Sequence, residues 1–327
     1  MPQPSYAYAC ARIGALEKRL LDEITVRRMA ESSLSDAMRM LLDARYGFES
    51  DAKAEDVETL IINELKQAAD EVRQLSPVPR LTDLLFLKND IINLKQLIKA
   101  RLTKQGEIAW QQGGLYSREQ LEDCVNNANY KLLPEPLMLA LNRLEKQLEL
   151  SVEPQQISIG LDAAYLDYAL KQSAKSPVML QYFKAQADFD NVLTFLRMRA
   201  MGAGREQFFD VLLPEGGIKH KDLLNSYELS FDAINRFMRE SVCKDALLEG
   251  LNRMQQSGNI AEVERARDNY LLSLFKVHKH ERESLYPIIG YYLAKEREAK
   301  AVRLIITAKR NNLPDEVIFG RLVNLYG

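Results

Sequence analysis

The chain has 327 residues, with 44 Lys and Arg against 46 Asp and Glu, a formal charge of −2 and a pI near 6.1. This balance excludes a globally basic nucleic-acid binder, and 46% hydrophobic with 28% charged residues excludes a disordered chain. Only 15 Gly and 11 Pro punctuate it, too few for a strand-and-turn protein, so an all-α fold is predicted.

The first helical pattern runs over residues 9–46, through Ala9, Ile13, Leu16, Leu20 and Leu21 and then Leu34, Ala37, Met38, Leu41 and Leu42; a second covers 54–75. Pro79 then opens a helix in which Leu84, Leu87, Ile91, Leu94 and Ile98 share one face, and Phe86, Asp90, Asn93 and Leu97 form a second stripe. Gly113-Gly114-Leu115 follows, where paired glycines permit the positive φ of a turn before a short helix. Residues 137–150 read as helical, and Asp162 to Leu166 head a helix before the next proline. Ser176 is placed to cap the helix that Pro177 opens, with Lys184, Asp188, Asn191 and Phe195 as its mixed stripe. Gly216-Gly217-Ile218 follows. Asp268 to Leu272 head another helix, and Pro287 opens the last long one, striped by Ala294, Glu298, Ala301 and Ile305. Asn311-Asn312-Leu313 then stands as a shortened version of the Gly-Gly linker.

These elements form an internal repeat. Pro79, Pro177 and Pro287 each precede an acid by eleven residues: Asp90, Asp188 and Glu298. Three residues further stand Asn93, Asn191 and Ala301, and a base lies eleven after the acid, at Arg101, Arg199 and Lys309. The unit is about a hundred residues, which divides the chain into 1–128, 129–228 and 229–327. A helix apolar on two sides is central to its domain, so its acid and Asn are expected to be buried and hydrogen-bonded. On one reading these polar residues orient helices within each domain; on another they line a docking surface.

Chemistry-bearing motifs do not assemble. Cys10, Cys124 and Cys243 stand apart with no C-x-x-C pair, which predicts a reducing compartment. His278 and His280 are two apart and turn to different sides of a helix, so the stretch reads as solvated and not metal-binding. Gly202-Ala203-Gly204 lacks the third glycine of a dinucleotide fingerprint. Asp188 and Asp190 lack the second acidic cluster of a paired-carboxylate site. No run reaches the roughly 18–20 apolar residues of a membrane span, and the N-terminus lacks the order of a signal peptide. No catalytic residue, cofactor or metal is predicted, and a soluble cytoplasmic protein is.

The whole chain resembles the C-type subunits of the bacterial and archaeal V/A-type ATPases, whose eukaryotic counterpart is the d-type subunit of the vacuolar ATPase. The resemblance rests on Tyr6, Tyr8, Ala11-Arg12, Leu16-Glu17 and Leu20-Leu21, on Tyr46-Gly47, on the three proline helices, and on an ending with Glu296, Glu298, Arg303, Ala308-Lys309 and Leu313. Ala301 departs from the Asn of the first two units. The resemblance implies three similar helical domains in a funnel about a pseudo-threefold axis. It implies a non-catalytic central-stalk socket that receives the central shaft, built from D- and F-type subunits, and sits on the membrane proteolipid ring. The chain would be a peripheral part on the cytoplasmic side, coupling ATP hydrolysis or synthesis to ion transport, with no nucleic-acid partner. Three fused units supply the symmetry an oligomer otherwise provides, so a monomer is expected. A generic helical adaptor and an all-α metal-dependent enzyme stay open as alternatives.

Charge is uneven along the chain: residues 269–327 hold ten Lys and Arg against six Asp and Glu. Lys295, Arg297, Lys300 and Arg303, interleaved with Glu296 and Glu298, read as a solvated helix face. Alternatively this basic surface, with Arg303 and Lys309, meets an acidic partner element.

Overall fold

A computed structural model describes residues 4–47, 56–104, 108–148, 154–229, 238–322 and 325–326, and among these every regular element is a helix. In chain order they are α1 (Tyr6–Leu16), α2 (Glu23–Glu31), α3 (Leu34–Asp43), α4 (Val57–Leu75) and α5 (Pro79–Thr103). Then follow α6 (Arg118–Asn126), α7 (Glu135–Leu148), α8 (Pro154–Ser173), α9 (Pro177–Ala200), α10 (Arg205–Asp210) and α11 (His220–Ser226). The last are α12 (Lys244–Ser257), α13 (Ala261–Lys276), α14 (Tyr286–Arg310) and α15 (Asp315–Arg321), with short 3-10 turns at Glu17–Arg19 and Met238–Glu240.

Local chemistry accounts for the boundaries. The pattern over 9–46 breaks into three helices because Asp22 and Ser33 are extended and accept the N–H groups of Thr25 and Asp36, starting new helices. Asp56 likewise caps α4, and Ser117 opens α6 with a reciprocal capping box to Gln120. Residues 54, 55, 149 and 150 of the expected helices lie outside the described residues. Three expectations are corrected. Asp162 and Asp268 stand inside α8 and α13, not at their heads, since those helices start at Pro154 and Ala261. Ser176 precedes α9 in extended conformation but its hydroxyl makes no cap; fixed φ at Pro177 sets the start instead. Positive φ serves Gly113, at 80°, but neither Gly216 nor Gly217.

The chain forms two compact units, one from residues 1–82 with 272–327 and one from 83–271. This differs from a linear division at 128 and 228, because the last proline helix takes its partners from the N-terminal segment. In the first unit α14 packs along α4 and touches α1, α2, α3 and α15. Its core combines Val26, Met29, Leu41, Leu60 and Ile61 with Val302, Ile305, Ile306 and Ile318. In the second unit α8 packs on α7 and α9. There α5 meets α8 through Tyr165 Oη, which donates to the Leu84 carbonyl at 2.9 Å, and through Lys99 Nζ to Ser158 at 2.8 Å. Similarly α9 meets α13 through Arg267 and Asp190 at 2.9 Å and through Gln181 and Tyr270 at 3.0 Å. Each of α5 and α9 thus pairs with the long helix that precedes the next repeat proline, Pro177 or Pro287. For α14 the cycle returns to Pro79, the first repeat proline, and its partner is α4, the helix before it.

Candidate functional site: the polar stripe of the proline helices

All three acids and both asparagines of the repeat are buried, with Asp90 and Asp188 at 0% exposure and Glu298 at 2%. A buried carboxylate must be hydrogen-bonded to be tolerated. Asp90 accepts the N–H of Leu115 at 2.8 Å and of Tyr116 at 3.4 Å, just before α6. Asp188 accepts from Gly217 at 2.9 Å and from Ile218 at 2.9 Å, just before α11, and takes a further contact from the Ser241 hydroxyl at 2.6 Å. Burial raises the Asp188 carboxyl above its ordinary range, opposed by Ser241 and the two N–H groups. Asp190 is engaged with Arg267, so the two aspartates do not converge.

The asparagines hold the preceding loop by its backbone. Asn93 Oδ1 accepts the Gln111 N–H at 2.8 Å while its Nδ2 donates to the Gln111 carbonyl at 2.9 Å. Asn191 does the same to Leu213, at 2.8 and 3.1 Å. The acid and Asn together fasten an irregular linker to the central helix, supplying partners for backbone groups that no regular structure pairs.

In the third sequence repeat the linker is not the stretch after α14. Glu298 Oε1 accepts the N–H of Leu21, in the segment between α1 and α2. The N-terminus therefore supplies the linker and short helix that match 113–126 and 216–226. Two differences follow from this. Residues 17–20 approach through a 3-10 turn in which Leu20 N–H bonds the Glu17 carbonyl at 3.0 Å, so the backbone pairs itself and Ala301 instead joins the apolar core. Glycine is also dispensable. An added Cβ at Gly114 would lie 2.1 Å from Asp90 Oδ1, and at Gly216 2.3 Å from the Lys184 carbonyl oxygen. Glutamate reaches about 1.5 Å further, one C–C bond, and accommodates Leu20 and Leu21.

The base eleven residues after the acid secures the other end of the short helix. Lys309 Nζ donates to the Ala30 carbonyl at 2.7 Å and to that of Ser32, at the C-terminus of α2. Arg101 donates to the Val125 carbonyl at the C-terminus of α6 and pairs with Glu145 at 2.7 Å. Eleven residues rise about 16 Å, enough to flank a helix of nine. Acid at the N-terminal end and base at the C-terminal end also match the helix dipole. Arg199 differs: its guanidinium lies 5.4 Å over the Phe195 ring, beside the stacked Phe208 and Tyr227.

The expected solvated face on α14 is corrected as well, because the helix runs through the core of its unit. Lys295, Arg297 and Glu298 are buried, while Lys300 and Arg303 are exposed. Lys295 Nζ lies 2.9 Å from Glu298 Oε2 and 2.7 Å from Glu64 Oε1 of α4. Arg303 pairs with Glu58 at 2.9 Å. Sequence reasoning missed Ser241, Glu145, Glu64 and Leu21, which reach the stripe from distant segments. Only the three-residue spacing of Lys295 and Glu298 was a local signal. Among the described residues no group of three His, Cys, Asp or Glu could hold a metal ion, and none of their helices is long and apolar enough to cross a membrane.

The geometry defines a helical scaffold built from variations on one central-helix motif. Its sequence matches the profile of the ATP synthase (C/AC39) subunit family over residues 9–321. The chain belongs to that family. The C subunit of the V-type sodium ATPase of Enterococcus hirae is 23% identical over 95% of each chain. The C subunit of the A-type ATP synthase of Haloquadratum walsbyi is 25% identical over 95% of this chain and 96% of its own. That of Thermococcus onnurineus is 25% identical over 92% of this chain and 85% of its own.

Proposed function

We propose that this ATP synthase subunit is the non-catalytic socket of the central stalk of a rotary V/A-type ATPase. In this role it joins the D- and F-type shaft to the membrane proteolipid ring, and so couples ATP hydrolysis or synthesis to ion transport. It sits peripherally on the cytoplasmic side and is a monomer on its own. The observation that carries the reading is the family match over 9–321, which takes in every proline helix and linker. The commitment of Asp90, Asp188 and Glu298 to internal backbone groups supports a structural part over a metal-dependent enzyme. The pairing of α5 with α8, α9 with α13 and α14 with α4 supports three similar domains, the last closed by the N-terminal segment.

For docking, Lys300 and Arg303, the latter in its pair with Glu58, stand exposed on α14 where an acidic shaft element could meet them, whereas Lys309 is held internally. The test is stoichiometric capture by the purified full-length chain of a D- and F-type shaft complex and of the detergent-solubilised proteolipid ring, read by light scattering. The reading expects one-to-one binding of each. Capture of neither overturns it in favour of an unrelated adaptor. Lys300→Glu with Arg303→Glu is expected to weaken shaft binding at low salt by roughly tenfold.

A further inference from the structure

The first unit holds a buried charge cluster that the repeat does not require and the proposed assembly does not use. Lys295 is 1% exposed and stands between two carboxylates, Glu298 from its own helix and Glu64 from α4. Each carboxylate uses its second oxygen on a backbone amide. Glu298 takes the Leu21 N–H, and Glu64 takes the Gly47 N–H at 2.7 Å. Leu21 lies just before α2 and Gly47 just after α3, so the two amides bracket that helix pair. Gly47 is seated tightly, with φ 64° and its Cβ position 2.0 Å from the Leu60 carbonyl oxygen, and its own carbonyl accepts from Asn63 at 3.3 Å. Tyr46, from the turn after α3, covers the cluster: its ring lies 5.8 Å from Lys295 Nζ, and its buried hydroxyl makes no hydrogen bond.

Among the described residues, two carboxylates on one ammonium leave a net negative charge in a largely buried site, and one proton relieves it. We infer that Glu64, Lys295 and Glu298 form a proton-linked clasp, which grips the α2–α3 pair by both ends and tightens as the pH falls below neutral.

The groups around Glu298 act on it in both directions, and burial prevails. Burial pushes its carboxyl up to about 7 from an ordinary value of 4.5, and the Glu64 charge adds to this, while Lys295 and the Leu21 N–H oppose it. Burial lowers the Lys295 ammonium, but Glu298 and Glu64 outweigh this, so it stays charged. Tyr46 and Tyr291 are both raised by burial and stay neutral. From the α1–α2 linker Glu298 meets the Leu21 amide. Further along α4, Glu58 is engaged with Arg303. When the clasp opens, Glu298 returns to water and its ordinary value. Closure therefore keeps its full strength below about pH 4.5 and loses it as the pH climbs to about 7.

The test is amide hydrogen exchange on the full-length protein. Protection of Leu21 and Gly47, corrected for intrinsic exchange, should fall by up to about tenfold per pH unit between pH 5 and 7. Amides of the 83–271 unit serve as the internal control. In Glu298→Gln the slope should vanish at both positions. A flat wild-type profile, or an unchanged slope in Glu298→Gln, overturns the inference. A variant-free measurement stands beside it: NMR titration of carboxyl-labelled glutamate in the wild type. A glutamate titrating near 7 is expected, and titration of every glutamate below about pH 5.5 overturns the clasp.

Discussion

Asp188 shows how one side chain can decide the position of several segments. Its two oxygens hold Gly217, Ile218 and Ser241, so replacing it by Asn sets an NH2 group against N–H donors. Asp188→Asn should cost about 2–3 kcal/mol in urea denaturation, since buried donors lose a charged acceptor. Gly216→Ala and Gly114→Ala press a methyl group against Lys184 and Asp90 and should each cost roughly 1–3 kcal/mol by the same measurement. Ala301→Asn tests the third unit from the other side. In α5 and α9 an Asn finds an open backbone pair, but Ala301 faces apolar neighbours. An amide there lacks partners, and a loss of about 2 kcal/mol is expected. Burial and some partnering of these residues were legible from the stripe alone. Which backbone groups they hold was not, because the partners stand 18 to 277 residues away.

At the scale of the helix, the eleven-residue interval from acid to base is a ruler for the short helix beside it. Lys309 and Arg303 both sit on α14, yet they differ in what they hold. Lys309 serves the C-terminal carbonyls of α2, which have no partners within that helix. Lys309→Met should cost about 1–2 kcal/mol. Arg303→Met breaks an exposed pair with Glu58 and should change stability by less than about 1 kcal/mol. Parallel chemical denaturations give the contrast. The helix periodicities, the proline starts and the Asp22 and Ser33 signals stand in the sequence. The stretch 9–46 reads as a helical pair closed by Tyr46-Gly47, and its division into three helices is not legible because spacing alone carries no stop signal.

The whole molecule is ordered by contact and not by chain sequence. Residues 83–271 contain α9, most of α5 and their partners α8 and most of α13, whereas 1–82 and 272–327 complete one another. Expressed alone, 83–271 should unfold cooperatively, and 1–82 should fold only when 272–327 is supplied. Circular dichroism of the separate and mixed fragments checks this; a cooperatively folded 1–82 fragment would falsify the division. Thermal denaturation against pH adds a second observable. Because Glu298 is raised in the fold, its contribution to stability declines between about pH 4.5 and 7. Glu298→Gln should flatten that part of the profile.

The sequence by itself determined the all-α class, the three proline helices, the burial of their acids and asparagines, and the family resemblance. Helix type and face depend on residues three and four apart, and local spacing records them. Tertiary structure alone decided that Leu21, not Leu313, meets the third acid, that α4 pairs with α14, and that Lys295 and Arg297 are buried on a helix face that reads as solvated. These outcomes depend on which distant segments share a core. A periodic pattern shows that a face must be covered, but not by what. The chain's near-neutral composition gives no sign of the buried ammonium on which two carboxylates converge.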